Sequence, residues 1–184
     1  MDHRIAIVIA VAVAVVVVLI LTLVFMRKRR TENLRKRFGP EYDRTVREIG
    51  PRRAESKLYE REKRVEKFPI RPLSVSERQQ FLAEWRAAQS RFVDDPRGAA
   101  EDADALVNKV MQSRGYPMSD FEQRAADVSV DHPRVVENYR AAHEIAIRQR
   151  SGEATTEDLR SALIYYRSLF DDLLETSTTK KEVA

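Results

Sequence analysis

Residues 5–26 read IAIVIAVAVAVVVVLILTLVFM and are followed directly by the basic sequence RKRR at 27–30. The run contains 22 residues without a charge, and Thr22 is its only polar side chain. As an α-helix rising 1.5 Å per residue it would be about 33 Å long, which suits the hydrocarbon core of a bilayer. A cleaved signal peptide has a shorter apolar region followed by small residues, whereas Phe25 and Met26 lead straight into arginine. The pattern predicts an uncleaved transmembrane helix from Ile5 to Met26.

The charges on the two sides of this run predict its direction. Asp2 and Arg4 precede it, and seven basic residues follow within 11 positions. The positive-inside rule therefore predicts a single-pass protein of the cell membrane with its C-terminal part in the cytoplasm. Basic side chains beside a bilayer also attract anionic lipids, so the same residues are the candidate membrane-surface site. They are Arg27, Lys28, Arg29, Arg30, Arg35, Lys36 and Arg37.

Charge is distributed unevenly along the rest of the chain. Residues 27–67 carry 16 basic and 8 acidic side chains, whereas residues 68–184 carry 16 basic and 20 acidic ones. The basic excess thus lies beside the predicted membrane helix, which favours anionic inner-leaflet lipids as a partner. Nucleic acid is disfavoured because acids are interleaved with the bases and would repel phosphates. These acids are Glu55, Glu60, Glu62 and Glu66.

Proline and glycine divide the remaining sequence. Gly39-Pro40 and Gly50-Pro51 each suit a helix end followed by a helix start, and FPIRP at 68–72 breaks the helical pattern. Beyond this break, apolar residues recur at helical spacing in five segments joined by short connections, which predicts a compact bundle. The predicted class is all-α, with an N-terminal tip and transmembrane anchor at 1–26, a basic juxtamembrane stalk at 27–72, a helical bundle at 73–175 and a polar tail at 176–184.

Capping residues predict where the five bundle helices begin. Ser74 with Glu77 and Ser119 with Glu122 have the spacing of a capping box. The other starts are at Asp95-Pro96, at Asp131-His132-Pro133 and at Thr155 or Thr156. Gly115 is predicted to end the second bundle helix.

Five segments of the soluble part are distinctive: RFGPEYD at 37–43, RFVDDP at 91–96, RGYP at 114–117, DFEQRAAD at 120–127 and EATTEDLR at 153–160. Together they resemble a family of bacterial single-pass membrane proteins described only as uncharacterised. The likeness extends from about Phe38 to Glu175. It implies a bacterial source and the same one-helix anchor, and it carries no activity, cofactor or ligand.

Catalytic motifs are absent from the sequence. There is no cysteine, no GxSxG, no Walker loop and no dinucleotide fingerprint. His143-Glu144 begins like the zinc motif HExxH, but Ile147 stands where the second histidine is needed. We therefore predict no enzyme, no metal and no cofactor. The alternative is an uncharacterised enzyme with a site near Asp131, His132 and His143, in which the Asp131-His132 pair would serve in acid-base chemistry instead of capping a helix.

A non-enzymatic role in binding or scaffolding another protein at the inner membrane face is thus the favoured hypothesis. Tyr116, Pro117 and Met118 form a candidate recognition loop, because loops that carry an aromatic residue between rigid or flexible neighbours often bind partners. A homodimer could form through Ala6, Ala10 and Ala14. These three share one face of the membrane helix, as in small-xxx-small packing motifs.

Overall fold

The computed structural model describes the backbone of residues 2–179 and the side chains of residues 15–22, 25–26 and 28–175. Across these residues the chain is helical apart from short connections, which confirms the all-α class. The helices are α1 Asp2–Phe38, α2 Pro40–Ile49, α3 Pro51–Val65, α4 Val75–Arg91, α5 Pro96–Arg114, α6 Phe121–Asp131, α7 Val136–Arg150 and α8 Thr156–Thr179.

Three of the predicted helix starts, at Ser74, Asp95 and Thr155, have the expected capping hydrogen bonds, that of Thr155 being accepted by its hydroxyl from the N–H of Asp158 at 3.1 Å. Ser74 Oγ accepts from the backbone N–H of Glu77 at 3.2 Å, and the Glu77 carboxylate accepts from the N–H of Ser74 at 2.8 Å. The Asp95 carboxylate accepts from the N–H of Gly98 at 2.9 Å. These contacts satisfy backbone donors that have no partner inside the helix, so the starts of α4, α5 and α8 are confirmed.

Gly115 ends α5 in the left-handed conformation, with φ of 96°. A Cβ at this position would lie 2.5 Å from the carbonyl oxygen of Pro69, so a side chain would be excluded by space as well as by conformation. One residue earlier, the carbonyl of Arg114 accepts from the N–H of Arg71 at 2.9 Å. The FPIRP segment is therefore fastened to the end of α5.

Two other predicted starts are wrong. The cap of α6 is Asp120, whose carboxylate accepts from the N–H of Gln123 at 2.9 Å, and Ser119 lies outside the helix. Aspartate caps a helix as well as serine does, so two adjacent candidates could not be separated by type. His132 is the C-cap of α6, and α7 begins only at Val136.

The main hydrophobic core lies between α4, α5, α7 and α8, with α6 closing one side. Trp85 of α4 stacks on Phe170 of α8 with ring centroids 4.8 Å apart. Tyr166 is buried and Tyr165 is only partly buried, as expected for neighbours on a helix. The last helix continues to Thr179, beyond the predicted start of the tail at residue 176, and residues 180–184 lie outside the described part of the chain.

A second core joins the end of α1 to α2, α3 and α6. Its buried members are Leu34, Phe38, Tyr42, Leu58, Val65 and Val130. Packing therefore crosses the predicted boundary between stalk and bundle at residues 72 and 73. Independent folding of residues 73–175 stays a prediction.

Among the residues that the structure describes, no helix is long and apolar enough to cross a membrane. The side chains of Ile5 to Ala14 lie outside the described residues. These include the predicted dimer stripe of Ala6, Ala10 and Ala14.

Candidate functional site

The seven predicted membrane-surface residues follow one another along a single helix. No glycine or proline precedes Gly39, so nothing in the sequence interrupts α1 between the apolar run and Phe38. Six of the basic side chains are exposed to solvent: Lys28, Arg29, Arg30, Arg35, Lys36 and Arg37. The side chain of Arg27 lies outside the described residues. The basic run is therefore a rigid, exposed continuation of the apolar helix.

Two of these basic residues are tied to neighbouring helices. Arg37 forms an ion pair and hydrogen bond with Glu62 of α3. Arg35 lies 3.5 Å from the carboxylate of Asp43 in α2. Both pairs are partly exposed, so each stabilises the fold by less than about 1 kcal/mol.

Three other basic side chains of α1, those of Arg29, Arg30 and Lys36, are not held by ion pairs in the described part of the chain. Among the described residues, no carboxylate lies within ion-pair distance of Arg29, Arg30 or Lys36. The guanidinium of Arg29 lies 4.5 Å from the ring centre of Phe25, and that of Arg30 lies 4.4 Å from the ring centre of Tyr59. Stacking of this kind holds a guanidinium by its face and leaves its N–H edge available to an anion.

A cleft of about 900 Å³ opens between α1 and α3 at this point. It is lined by Met26, Arg29, Arg30, Asn33, Leu34, Lys36, Arg37, Tyr59 and Glu62. We call it the α1–α3 cleft. Four of its side chains are basic and one is acidic, and that acid is already paired with Arg37. The cleft therefore has an excess of positive charge.

His132 lies at the junction of three helices and is only 1% exposed. Its Nδ1 is 2.5 Å from a carboxylate oxygen of Asp172 in α8, and its Nε2 is 3.3 Å from Nη1 of Arg114. These partners assign the roles of the neutral ring, since Nδ1–H donates to the carboxylate and Nε2 accepts from the guanidinium. Both nitrogens are engaged inside the protein, so the ring links α5, α6 and α8.

The candidate acid-base residues do not form one site. Asp131 and His132 line an open polar cavity of about 600 Å³ beside the end of α1, whereas His143 lines a separate cavity of about 290 Å³. There its ring stacks on Phe121 with centroids 3.5 Å apart, and burial lowers the pKa of His143. The Asp131 carboxylate accepts a hydrogen bond from Tyr116 at 2.9 Å.

The predicted recognition loop is divided between the interior and the surface. Tyr116 is 2% exposed, and burial, reinforced by the nearby Asp131, raises the pKa of its hydroxyl. Pro117 is exposed, and Met118 is 42% exposed. Tyr116 therefore fixes the loop from inside, and the surface of the loop is made by the two residues after it.

A buried charge cluster was not predicted from the sequence. Glu41 of α2 accepts hydrogen bonds from Arg61 Nη1 at 2.7 Å and from Arg140 Nη1 and Nη2 at 2.7 and 3.0 Å. Burial alone would raise the pKa of Glu41, but hydrogen bonds and charges from Arg140 and Arg61 outweigh it and hold that pKa below its usual value. The cluster connects α2, α3 and α7 through charged groups that are all buried.

The burial of Arg61 could have been predicted from the sequence. Arg61 falls on the same helical face as Ala54, Leu58 and Val65, and all four are buried. An arginine within an apolar stripe indicates a buried partner. Nothing local identifies that partner as Glu41.

No family model, curated protein or solved structure matches this chain. The resemblance to bacterial single-pass membrane proteins therefore stays a prediction from the sequence.

Proposed function

We propose that this chain is a single-pass membrane protein of the bacterial cell membrane, with its all-α body on the cytoplasmic side. In this proposal the body acts by binding another protein and not by catalysis. The supporting observation is the apolar surface of α1, which no other part of the described chain covers. Each side chain from Val15 to Leu21 is between 47% and 62% exposed.

An uncovered apolar helix of this length is costly in water. Sixteen of the 22 residues from Ile5 to Met26 are Leu, Ile, Val or Phe. Each contributes roughly 0.3 to 0.6 kcal/mol to insertion near the centre of a bilayer, so together they favour insertion by up to roughly 5 to 10 kcal/mol. A bilayer is the partner that covers such a helix on every side.

The body is joined rigidly to this helix. Leu34 and Phe38, in the last turns of α1, are buried against α2, α3 and α6. Glu41 then locks α2 to α3 and α7, and Arg64 of α3 pairs with the buried Asp127 of α6. The chain therefore suits a protein that presents one fixed face to partners near the membrane.

The arrangement of His132 supports a role without catalysis. A general base needs a nitrogen that can reach a substrate proton, whereas both nitrogens of His132 are hydrogen-bonded to protein groups. The exposed Pro117 and Met118 offer a small surface for a protein partner, supported from beneath by Tyr116.

Topology can be tested directly because the chain has no native cysteine. A cysteine replacing Ala184 should resist an impermeant maleimide in intact cells and react after lysis. A cysteine replacing Asp2 is the matched control and should react in intact cells. Labelling at 184 in intact cells would reverse the proposed orientation, and release of the protein from membranes by carbonate or high salt would contradict the anchor.

Partner binding can be tested with a photo-cross-linking residue in place of Met118, in native membranes. The same residue in place of Val75, which is 75% exposed at the start of α4, serves as the control. We expect one discrete cross-linked protein product from position 118 that is absent from position 75. Identical smears from both positions, or no product from either, would contradict a partner at this loop.

A further inference from the structure

We propose that the α1–α3 cleft binds the phosphate headgroup of one anionic phospholipid. This inference rests on the proposed membrane anchor. It goes beyond the general attraction of basic residues to a charged leaflet, because it assigns one lipid to one defined cleft.

The depth of the cleft follows from the geometry of α1. Met26 is the last residue of the apolar run, and Arg29 follows three residues later, about 5 Å further along the helix axis. The headgroup layer of one leaflet is roughly 5 to 7 Å thick. With Met26 at the edge of the hydrocarbon, Arg29 and Arg30 lie at the level of the lipid phosphates.

The cations of the cleft have the chemistry that binds a phosphodiester. Guanidinium groups donate two parallel hydrogen bonds to phosphate oxygens, and Arg30 is held in place by the ring of Tyr59. Lys36 adds a further charge on the same side of α1. Since Arg29, Arg30 and Lys36 have no carboxylate partner among the described residues, an anion would not have to displace an existing ion pair.

The apolar part of the lining suits a lipid better than a free anion. Met26, on the membrane side of Arg29, and the exposed ring of Tyr59 offer apolar surface on which the glycerol and the first acyl carbons can pack. Tyrosine is typical of the membrane interface, where its ring meets lipid and its hydroxyl meets water. A volume of about 900 Å³ is large enough for a headgroup with its glycerol.

The test is native mass spectrometry of the full-length protein purified in a mild nonionic detergent. Dioleoyl-phosphatidylglycerol, dioleoyl-phosphatidylcholine and inorganic phosphate are titrated separately. We expect one phosphatidylglycerol adduct per chain at a concentration where phosphatidylcholine gives none. The double substitution Arg29→Gln with Arg30→Gln should weaken this adduct about 25-fold, since each basic residue near a lipid phosphate contributes about a fivefold factor.

The matched control removes the same charge from the same helix. Lys28 and Arg35 are exposed residues of α1 that do not line the cleft. A nonionic detergent micelle has no charged leaflet to attract them, so Lys28→Gln with Arg35→Gln should weaken the adduct less than about twofold. Unfolding followed by the fluorescence of Trp85 verifies that both double variants keep the fold of the native chain.

Each other result overturns the inference. Equal weakening in the two double variants would mean diffuse attraction to the lipid without a site. An adduct with inorganic phosphate of equal strength would make the ligand a free anion. No adduct from a chain that fractionates with membranes would remove the site and leave the anchor standing, whereas a chain that does not fractionate with membranes would remove both.

Discussion

Replacing Glu41 with glutamine removes the negative charge that two buried arginine side chains share. Its carboxylate accepts three hydrogen bonds of 2.7 to 3.0 Å from Arg61 and Arg140, and no part of the Glu41 side chain is exposed. Breaking a buried ion pair by removing one partner costs about 3 to 5 kcal/mol, because the remaining charge is left without compensation. The substitution Glu41→Gln therefore tests how strongly the cluster fastens α2 to α3 and α7.

The structure places the expected loss at the lower end of that range. Glutamine keeps one carbonyl oxygen as an acceptor, and Arg140 retains Glu137 at 3.5 Å. Arg61 loses its carboxylate partner among the described residues and keeps only neutral acceptors, the amide oxygen and the Ser129 hydroxyl at 3.4 Å. We expect the free energy of unfolding to fall by about 3 kcal/mol, which lowers the urea midpoint by roughly 1 to 3 M.

Two probes can follow the unfolding of the full-length protein in detergent. Trp85 is the only tryptophan and is buried in the main core, so its fluorescence reports on the bundle. Far-ultraviolet circular dichroism reports on all helices. A shift in both signals is expected if the two cores unfold as one cooperative unit, whereas a shift in circular dichroism alone would mean that the bundle unfolds separately.

The control is Glu48→Gln in the same helix. Glu48 pairs with Arg44 at 3.0 Å on the exposed surface, so its loss should cost less than about 1 kcal/mol. Adding Arg61→Met to Glu41→Gln should restore part of the lost stability, since it removes an unpaired buried charge. The role assigned to the cluster would be refuted if Glu41→Gln and Glu48→Gln had the same urea midpoint by both fluorescence and circular dichroism.

Three further predictions concern acid, backbone conformation and the buried histidine. Because the pKa of Glu41 is lower in the folded than in the unfolded chain, stability should be complete above the usual glutamate value of 4.5 and fall as pH drops further. Urea midpoints measured against pH should show a smaller fall in Glu41→Gln. Gly115→Ala should cost at least about 2 kcal/mol and Gly152→Ala about 1 kcal/mol, since both have positive φ but only Gly115 would place its Cβ against backbone. Equal losses would rule out the contact with Pro69. Asp172→Ala should cost about 1 to 3 kcal/mol, whereas Asp171→Ala, which breaks a partly exposed pair, should cost less than about 1 kcal/mol. Equal midpoints for this pair would contradict a structural role for the His132 contact.

The helix boundaries were predictable where the signal is local. A cap is encoded within three or four residues, and Ser74, Asp95 and Gly115 each act where the sequence places them. The error at Ser119 arose because Asp120 offers the same hydrogen bond one position later. Local chemistry therefore located the starts of α4, α5 and α6 to within one residue, whereas the start predicted at Asp131-His132-Pro133 lies three to five residues before Val136.

Contacts between distant residues were not predictable in this way. Glu41 and Arg140 are 99 positions apart, and the partners of His132 are 18 and 40 positions away. The neighbours of His132 in sequence, Asp131 and Pro133, are typical of a helix start, so the sequence predicted one there although His132 ends α6. Packing of the helices decides which charged groups meet, and that depends on the whole chain.

The basic residues of the candidate site were predictable from the sequence, whereas the cleft was not. The basic residues of α1 could be identified from the order of charges along the chain. The cleft that four of them line also needs Tyr59 and Glu62, which come from α3 and reach α1 only after the turns at Gly39 and Gly50.

Because α1 is uninterrupted, the number of residues between the apolar run and Leu34 sets the direction in which the body faces around the helix axis. An α-helix turns by about 100° and advances 1.5 Å for each residue. In the proposed membrane arrangement, inserting one alanine between the last apolar residue and Leu34 would swing the whole body about 100° around the membrane normal while lifting it only slightly. A partner embedded in the same bilayer would then face a different side of the protein, and inserting seven residues, close to two full turns, would bring the original side back at a greater height.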